Sequence, residues 1–231
     1  MLPLLGLPVV ARQIERLKRS VNTGTIVLAT SINEIDDKLY EFAQDNNLFV
    51  FRGELNDVLD RFYRAAKNYD AKHIIRITGD CPLIDPSLVD KVVTHHITNE
   101  LDYTSNIDPP TWPDGLDVEV IKFSALQAAW EHSTEIYDRE HVTSYIRNKK
   151  QEFHCGNITN PKGDKSPIRW TLDEPEDYIF LKAIYGDLYP SKPNFTSEDV
   201  MSWMEANPDK LLLNSHFRRN SNCLEKNKKR D

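Results

Sequence analysis

Gly79-Asp80 closes an isoleucine-rich run, His73-Ile74-Ile75-Arg76-Ile77-Thr78. A carboxylate at the C-terminal end of a strand stands at the mouth of a sheet, and a glycine before it lets a ligand approach the backbone closely. Such an acid suits Mg²⁺, which takes one or two carboxylates and leaves its other positions to water and phosphate oxygens. The plain alternative is that Asp80 caps the turn before Cys81-Pro82. Asp173 has the same character: it follows the run Ile168 to Leu172 and precedes a helix opened by Pro175. Its local alternative is a helix N-cap. Two acids at two strand ends on one sheet edge could share a metal ion, but spacing alone does not bring them together. Asp117 and Glu119 alternate on a strand and so share a face. Arg139 and His141, at a helix start, could bind an anion, as could Arg52 and Arg61 near a strand-end loop. No Ser-His-Asp order, zincin motif or P-loop is present.

The elements that must position these residues read as strands alternating with amphipathic helices. A helix is expected over Pro8 to Ser20, with an apolar stripe of Val10, Ile14, Leu17 and Val21. Thr25 to Thr30 reads as a strand. Ser31 and Glu34 form a capping box for a helix carrying Ile35, Leu39, Phe42 and Ala43. Leu48 to Phe51 is a second strand, a helix starts at Asn56 or Asp57, and His73 to Thr78 is a third strand. Asp85-Pro86 opens the next helix. Such βαβ units imply a mainly parallel sheet whose strand-end loops, Ala29-Thr30-Ser31, Arg52-Gly53 and Gly79 to Pro82, share one edge. Further on, Tyr103 to Gly115 reads as a loop and Asp117 to Ile121 as a strand. Ser124 to Trp130 and Asp138 to Asn148 read as helices capped by their first residues. Phe153 to Thr159 and Ile168 to Leu172 read as strands. A helix runs from Pro175 to Tyr185 with Gly186 as its stop, and a last one over Ser197 to Ala206.

Composition limits the function classes. With 39% hydrophobic residues in 231, the chain can build a core, which argues against disorder. No apolar run approaches the length of a membrane span, and the start lacks a secretory pattern. Cys81, Cys155 and Cys223 form no C-x-x-C pair, so neither a zinc site nor a disulfide framework is indicated, and a cytoplasmic setting is expected. A net charge of −7 speaks against general nucleic-acid binding. The charge is uneven: Arg218 to Asp231 holds six Lys or Arg against two acids, leaving −11 for the rest.

Several runs in order resemble one family. They are Ile26 to Ser31, Phe51-Arg52-Gly53, Asp57 to Arg61, Arg76 to Asp85, Pro113 to Val120, Arg139 to Thr143, and Arg169 to Asp177 with its Asp-x-Pro-Glu-Asp pattern. Together they resemble the cytidylyltransferases of the spore coat polysaccharide biosynthesis protein F type, relatives of the enzymes that make CMP-sialic acid and CMP-Kdo. The resemblance spans Leu2 to Met204. It implies a Rossmann-like nucleotide-diphospho-sugar transferase fold, a GT-A-like three-layer α/β/α sandwich with a mixed, mainly parallel sheet. It also implies transfer of CMP from CTP to a sugar, release of pyrophosphate, and Mg²⁺ as cofactor. By matching position, Asp80 and Asp173 would be the catalytic metal ligands. Ala29, Thr30, Ser31, Arg61 and Gly79 would lie around the nucleotide, and Asp117, Glu119, Arg139 and His141 would face the sugar. The partners implied are CTP and a sugar; the resemblance allows a homodimer.

One departure stands out. The family begins with a strand and a basic phosphate-holding loop ahead of the stretch matching Leu2 to Gly6. The expected organisation is therefore an N-terminally truncated domain over 1–206 without its first strand, then an extension over 207–231 ending in a basic, mobile tail. Two rivals remain. One is a glycosyltransferase of the same broad fold, although the Asp-x-Asp motif usual there is lacking. The other is a homologue that has lost catalysis with the missing loop.

Overall fold

A computed structural model describes residues 1–219. The predicted basic end beyond Arg219 lies outside the described residues. The chain opens with a short hairpin, β1 (Pro3–Leu4) against β2 (Leu7–Pro8), turned by Leu5 and Gly6, both at positive φ. Helix α1 (Val9–Leu17) follows, shorter than expected. Of its predicted stripe, Ile14 and Leu17 are buried, whereas Val21 lies beyond the helix and is exposed. The same helix buries Arg12, Gln13 and Arg16. These are tolerated inside because their donors meet carbonyls. Gln13 Nε2 donates to the carbonyls of Thr78 (2.6 Å) and Cys81 (3.3 Å), and Arg16 Nε to that of Ile84 (2.7 Å). Helix α1 thus holds the loop that carries Asp80.

Strand β3 (Val27–Ser31) pairs in parallel with β4 (Phe49–Gly53), and α2 (Asp37–Asp45) connects them. The predicted capping box at Ser31 does not form. Asn33 caps the short 3₁₀ turn before α2, and Ser31 instead donates to Asp36. Helix α3 (Val58–Asn68) starts at Asp57, whose carboxylate accepts from the Asp60 amide. Strand β5 (His73–Arg76) and helix α4 (Pro86–Thr98), capped by Asp85, stand where the patterning puts them. The remaining strands, β6 (Tyr103–Ser105), β7 (Glu119–Lys122) and β8 (Cys155–Asn157), complete a sheet of order β5-β7-β6-β8. In it β7 runs antiparallel to both neighbours and β6 parallel to β8.

Helix α5 (Phe123–His132) begins before Ser124, which is therefore not its cap. The helix expected from Asp138 to Asn148 is two pieces, α6 (Ile136–His141) and α7 (Ser144–Asn148). The break is at Val142, buried and at positive φ, and Asp138 accepts from Ser144 across it. Helix α8 (Pro175–Leu188) runs through Gly186, because the buried Ile184 and Tyr185 continue its packed face. Helix α9 (Ser197–Ala206) is capped by Thr196 and Asp199 in a reciprocal box. Together these elements form the mixed α/β Rossmann-like architecture expected. One core cluster joins Leu83, Leu88, Val118, Trp170, Phe180 and Trp203. A second, around Leu59, Tyr63, Tyr103 and Leu126, underlies α3 and α5.

The strands fall into separate ladders. Among the described residues β3 pairs only with β4, and β5 only with β7. A cavity of about 340 Å³ is lined by Val27 and Ala29 of β3, by Ile74 and Ile75 of β5, and by Phe62 and Ala66 of α3. No helix among the described residues is long and apolar enough to cross a membrane.

Candidate active site

The segment 168–172 is the spine of the site. It was expected to be a strand, yet it forms only an isolated parallel bridge between Asp114 and Arg169. Its backbone bonds go to different partners, so no ladder develops. The Trp170 amide donates to the Asp114 carbonyl (2.7 Å), the Leu172 amide to the Asp80 carbonyl (2.9 Å), and the Arg169 carbonyl accepts from Asn214 (3.1 Å). One stretch of chain thereby fixes the Asp80 loop on one side and the loop around Asp114 on the other. Gly115 is required here. Its φ is +96°, and a Cβ would lie 2.5 Å from the Trp170 carbonyl carbon.

These links bring Asp80 and Asp173 to the same place, the convergence that spacing left open. The Asp173 carboxyl is pushed up, first by burial and then by the charge of Asp80, while Arg169 opposes the rise. Asp117 joins them: burial raises its carboxyl, with Glu119 and Asp80 adding to the rise and Arg219 opposing it. Asp80 itself accepts from the Thr78 hydroxyl. Beside it the Cys81 thiol is pushed well up by complete burial, which makes it a poor nucleophile.

Arg169 organises the acids. Its Nε and Nη2 grip Asp177 at 2.9 and 2.7 Å, Nη2 also reaches Asp173 at 3.0 Å, and Nη1 lies 3.5 Å from Asp114. Asp177 is fully buried and accepts the amides of Asp173 (3.1 Å) and Glu174 (3.0 Å) as well. Burial opposes its ionisation, but Arg169, Asn214 and the two amides outweigh that and hold its carboxyl below the usual range. Asp114 lacks such support. Burial pushes its carboxyl up to about 6 despite Arg219 and Arg169 nearby. Sequence reasoning passed over Asp114, Arg169, Asp177 and Arg219 as site residues. Asp177 alone carried a signal, the second aspartate of Asp-x-Pro-Glu-Asp at the third position of a helix.

The other predicted residues lie in separate groups. Ala29, Thr30 and Ser31 end β3, where Arg52 Nε donates to the Ser31 carbonyl (2.8 Å). Arg61 packs against Gly53 and donates to the carbonyls of Glu54 (2.8 Å) and Leu55 (3.2 Å). Glu119 is buried and bound by Arg76 and by the Tyr103 hydroxyl, so its oxygens are engaged within the fold. Arg139 binds Asp57 and the Trp130 carbonyl, which fastens α6 to the start of α3. His141 packs on the Tyr137 ring, 4.2 Å between centroids.

The donor set fits a hard divalent cation that shares its coordination with phosphate. Among the described residues no three His, Cys, Asp or Glu side chains form a complete metal cage. The Asp80–Asp173 pair, with one oxygen of Asp173 already held by Arg169, offers the one or two carboxylates Mg²⁺ takes in a phosphate site.

The chain is similar to known proteins over most of its length. A family model described as cytidylyltransferase matches residues 1–192. An uncharacterised protein of Methanocaldococcus jannaschii is 37% identical over 211 residues, covering 90% of this chain and 84% of that one. The spore coat polysaccharide biosynthesis protein SpsF of Bacillus subtilis is 33% identical, covering 85% and 82%. Among solved structures, a cytidylyltransferase from Leptospira borgpetersenii superposes with a TM-score of 0.86 at 32% identity, covering 91% of this chain and 88% of that one.

Proposed function

The chain belongs to the cytidylyltransferase family, and from that premise we propose that it transfers CMP from CTP to a hydroxyl of an acidic or modified sugar. Pyrophosphate leaves, and the product serves surface glycan synthesis in the cytoplasm. The observation that carries this reading is the convergence of Asp80 and Asp173, stitched through the Leu172 amide and the Asp80 carbonyl.

Asp80 and Asp173 would hold Mg²⁺, which when bound withdraws charge from the α-phosphate and lowers the pKa of the incoming hydroxyl. Arg169 orients Asp173 and keeps one of its oxygens from turning away. The amides at 173 and 174 fix Asp177, which fixes Arg169. Ala29, Thr30, Ser31, Gly79 and Arg61 receive the nucleotide at the strand-end edge. Asp117 stands on the acceptor side, with Glu119 holding β7 behind it; Arg139 and His141 flank that side on α6. Positioning and charge neutralisation supply most of the catalysis in phosphoryl-type transfer.

The cavity between β3 and β5 favours a second reading. In it this chain binds nucleotide, in the space between β3 and β5, without transferring it. One panel tests both. Thermal melts are recorded with Mg²⁺ and each of CTP, UTP, GTP and ATP, and pyrophosphate release is followed with acidic sugars. A ligand at 100 times its dissociation constant adds about 2.7 kcal/mol, roughly 5–11 °C for a domain of this size. A CTP-selective rise with pyrophosphate release supports the transferase. A CTP-selective rise without release supports the second reading. A cooperative melt that no nucleotide shifts sinks both.

A further inference from the structure

Past α9 the chain turns back over the acidic site. The buried Asn214 side chain donates to the Arg169 carbonyl (3.1 Å) and to Asp177 (2.9 Å). Phe217 lays its ring against the Arg169 guanidinium, 5.5 Å from the centroid. Arg219 then spans the loop: it donates to Asp117 and, at 3.4 Å, to the Trp112 carbonyl, and its Nε lies 3.8 Å from Asp114. One guanidinium thereby ties together both ends of the turn that Gly115 makes possible. All three residues lie beyond the span matched by the family.

We propose that Arg219 is a positioning residue of the site, holding the 112–117 loop, with Asp114 and Asp117, in a fixed place beside Asp80 and Asp173. The proposal rests on the reading of this acidic cluster as the substrate site. The physical case is one of charge and reach. Asp114, Asp117 and Asp173 lie near enough to Asp80 or to one another that charge adds to burial in raising their carboxyls, and Arg169 spends its shorter bonds on Asp177 and Asp173. Arg219 supplies the second cation, and its planar fork meets a carboxylate and a carbonyl at once. A lysine in its place keeps the charge but not the fork.

The test uses the intact chain with Arg219→Gln and Arg219→Lys. Backbone hydrogen exchange is followed without nucleotide over residues 110–118, with β6 and β8 as the internal reference. Mg²⁺–CTP affinity is then measured by calorimetry. Exchange in the loop is expected to rise about tenfold or more in the Gln variant and less in the Lys variant, with the reference strands unchanged. Mg²⁺–CTP affinity is expected to fall about tenfold in the Gln variant and to recover in part with Lys. Unchanged loop exchange overturns the proposal. So does an equal rise in the reference strands, which would make Arg219 a general stability contact. A Lys variant no better than Gln in both measurements overturns it too. The exchange arm needs no ligand, so a wild-type chain that fails to bind CTP sinks the functional reading while Arg219 is still judged on the loop.

Discussion

At the scale of single residues, Asp80 and Asp173 stood out because an acid that follows an apolar run, just after a glycine or two residues before a proline, leaves a local mark. Arg169 did not: from an irregular stretch it reaches Asp173 and Asp177, 4 and 8 positions on, and Asp114, 55 positions away. No spacing rule reports such a contact. Two predictions belong here. Asp80→Asn is expected to keep the fold, because the backbone carbonyl that receives the Leu172 amide is unchanged. In a turnover-competent form of the protein it should lose a hundredfold or more of the rate. Pyrophosphate release at near-wild-type rate would remove Asp80 from the metal site. Asp114→Asn should stabilise the protein. The Asp114 carboxyl is pushed up to about 6, above the ordinary 3.8, so the unfolded chain releases this proton first as pH rises. Its neutral form favours folding below about pH 4, and that contribution is lost as pH climbs through 6. Without divalent cations, Asp114→Asn should therefore raise the urea midpoint at pH 8, by up to about 3 kcal/mol in stability. At pH 4 it should change little. A variant less stable than wild type at pH 8 would mean that the Arg169 and Arg219 contacts outweigh burial.

At the scale of elements, the patterning found helices by their apolar stripes and missed the polar side chains those helices bury. Helix α1 shows why: Arg12, Gln13 and Arg16 lie inward because the Asp80 loop offers carbonyls there, and periodicity counts only apolar residues. The α6–α7 break escaped for a related reason, since nothing in Val142 announces a positive φ. A similar polar seam joins β5, α4 and β6. The ring nitrogens of His73 and His96 are 3.0 Å apart, and His96 also meets the Thr104 hydroxyl at 3.0 Å. Burial first, then the charge of His73, lowers His96 from 6.5 to about 4. The unfolded chain therefore takes up this proton first as pH falls, so the stabilising contribution is complete above about 6.5 and is lost toward 4. Over that window the loss is roughly 3 kcal/mol. Urea midpoints at pH 7.5 and 4.5 check it: His96→Gln should flatten the difference relative to wild type. An equal drop in both proteins would assign the acid sensitivity elsewhere.

At the scale of the whole molecule, what decides the behaviour is the gap between the β3–β4 ladder and the β5–β7–β6–β8 sheet. No strand among the described residues joins the two ladders. Among the described residues, the facing edges of β3 and β5 leave backbone N–H and C=O groups without a ladder partner, and the cavity beside them is lined by Ile26, Ile74, Ile75, Ile77 and Phe62. Edges of this kind invite another strand, and apolar walls reward it with about 25 cal/mol for each Å² covered. A segment of six alternating Val and Ile residues, joined ahead of Met1 by a Gly-Ser linker, should therefore dock between β3 and β5. The expected result is a rise in stability of about 2 kcal/mol or more, with less anilinonaphthalene sulfonate fluorescence than the chain without the segment. The same segment with a central proline keeps its apolar area but cannot donate to the ladder at that position. If both segments stabilise equally, the gap is only a greasy pocket. If only the proline-free segment does, the two ladders are halves of one sheet. In that case the loop following the added strand is where triphosphate-binding groups belong, and CTP affinity should be measured again with that loop in place.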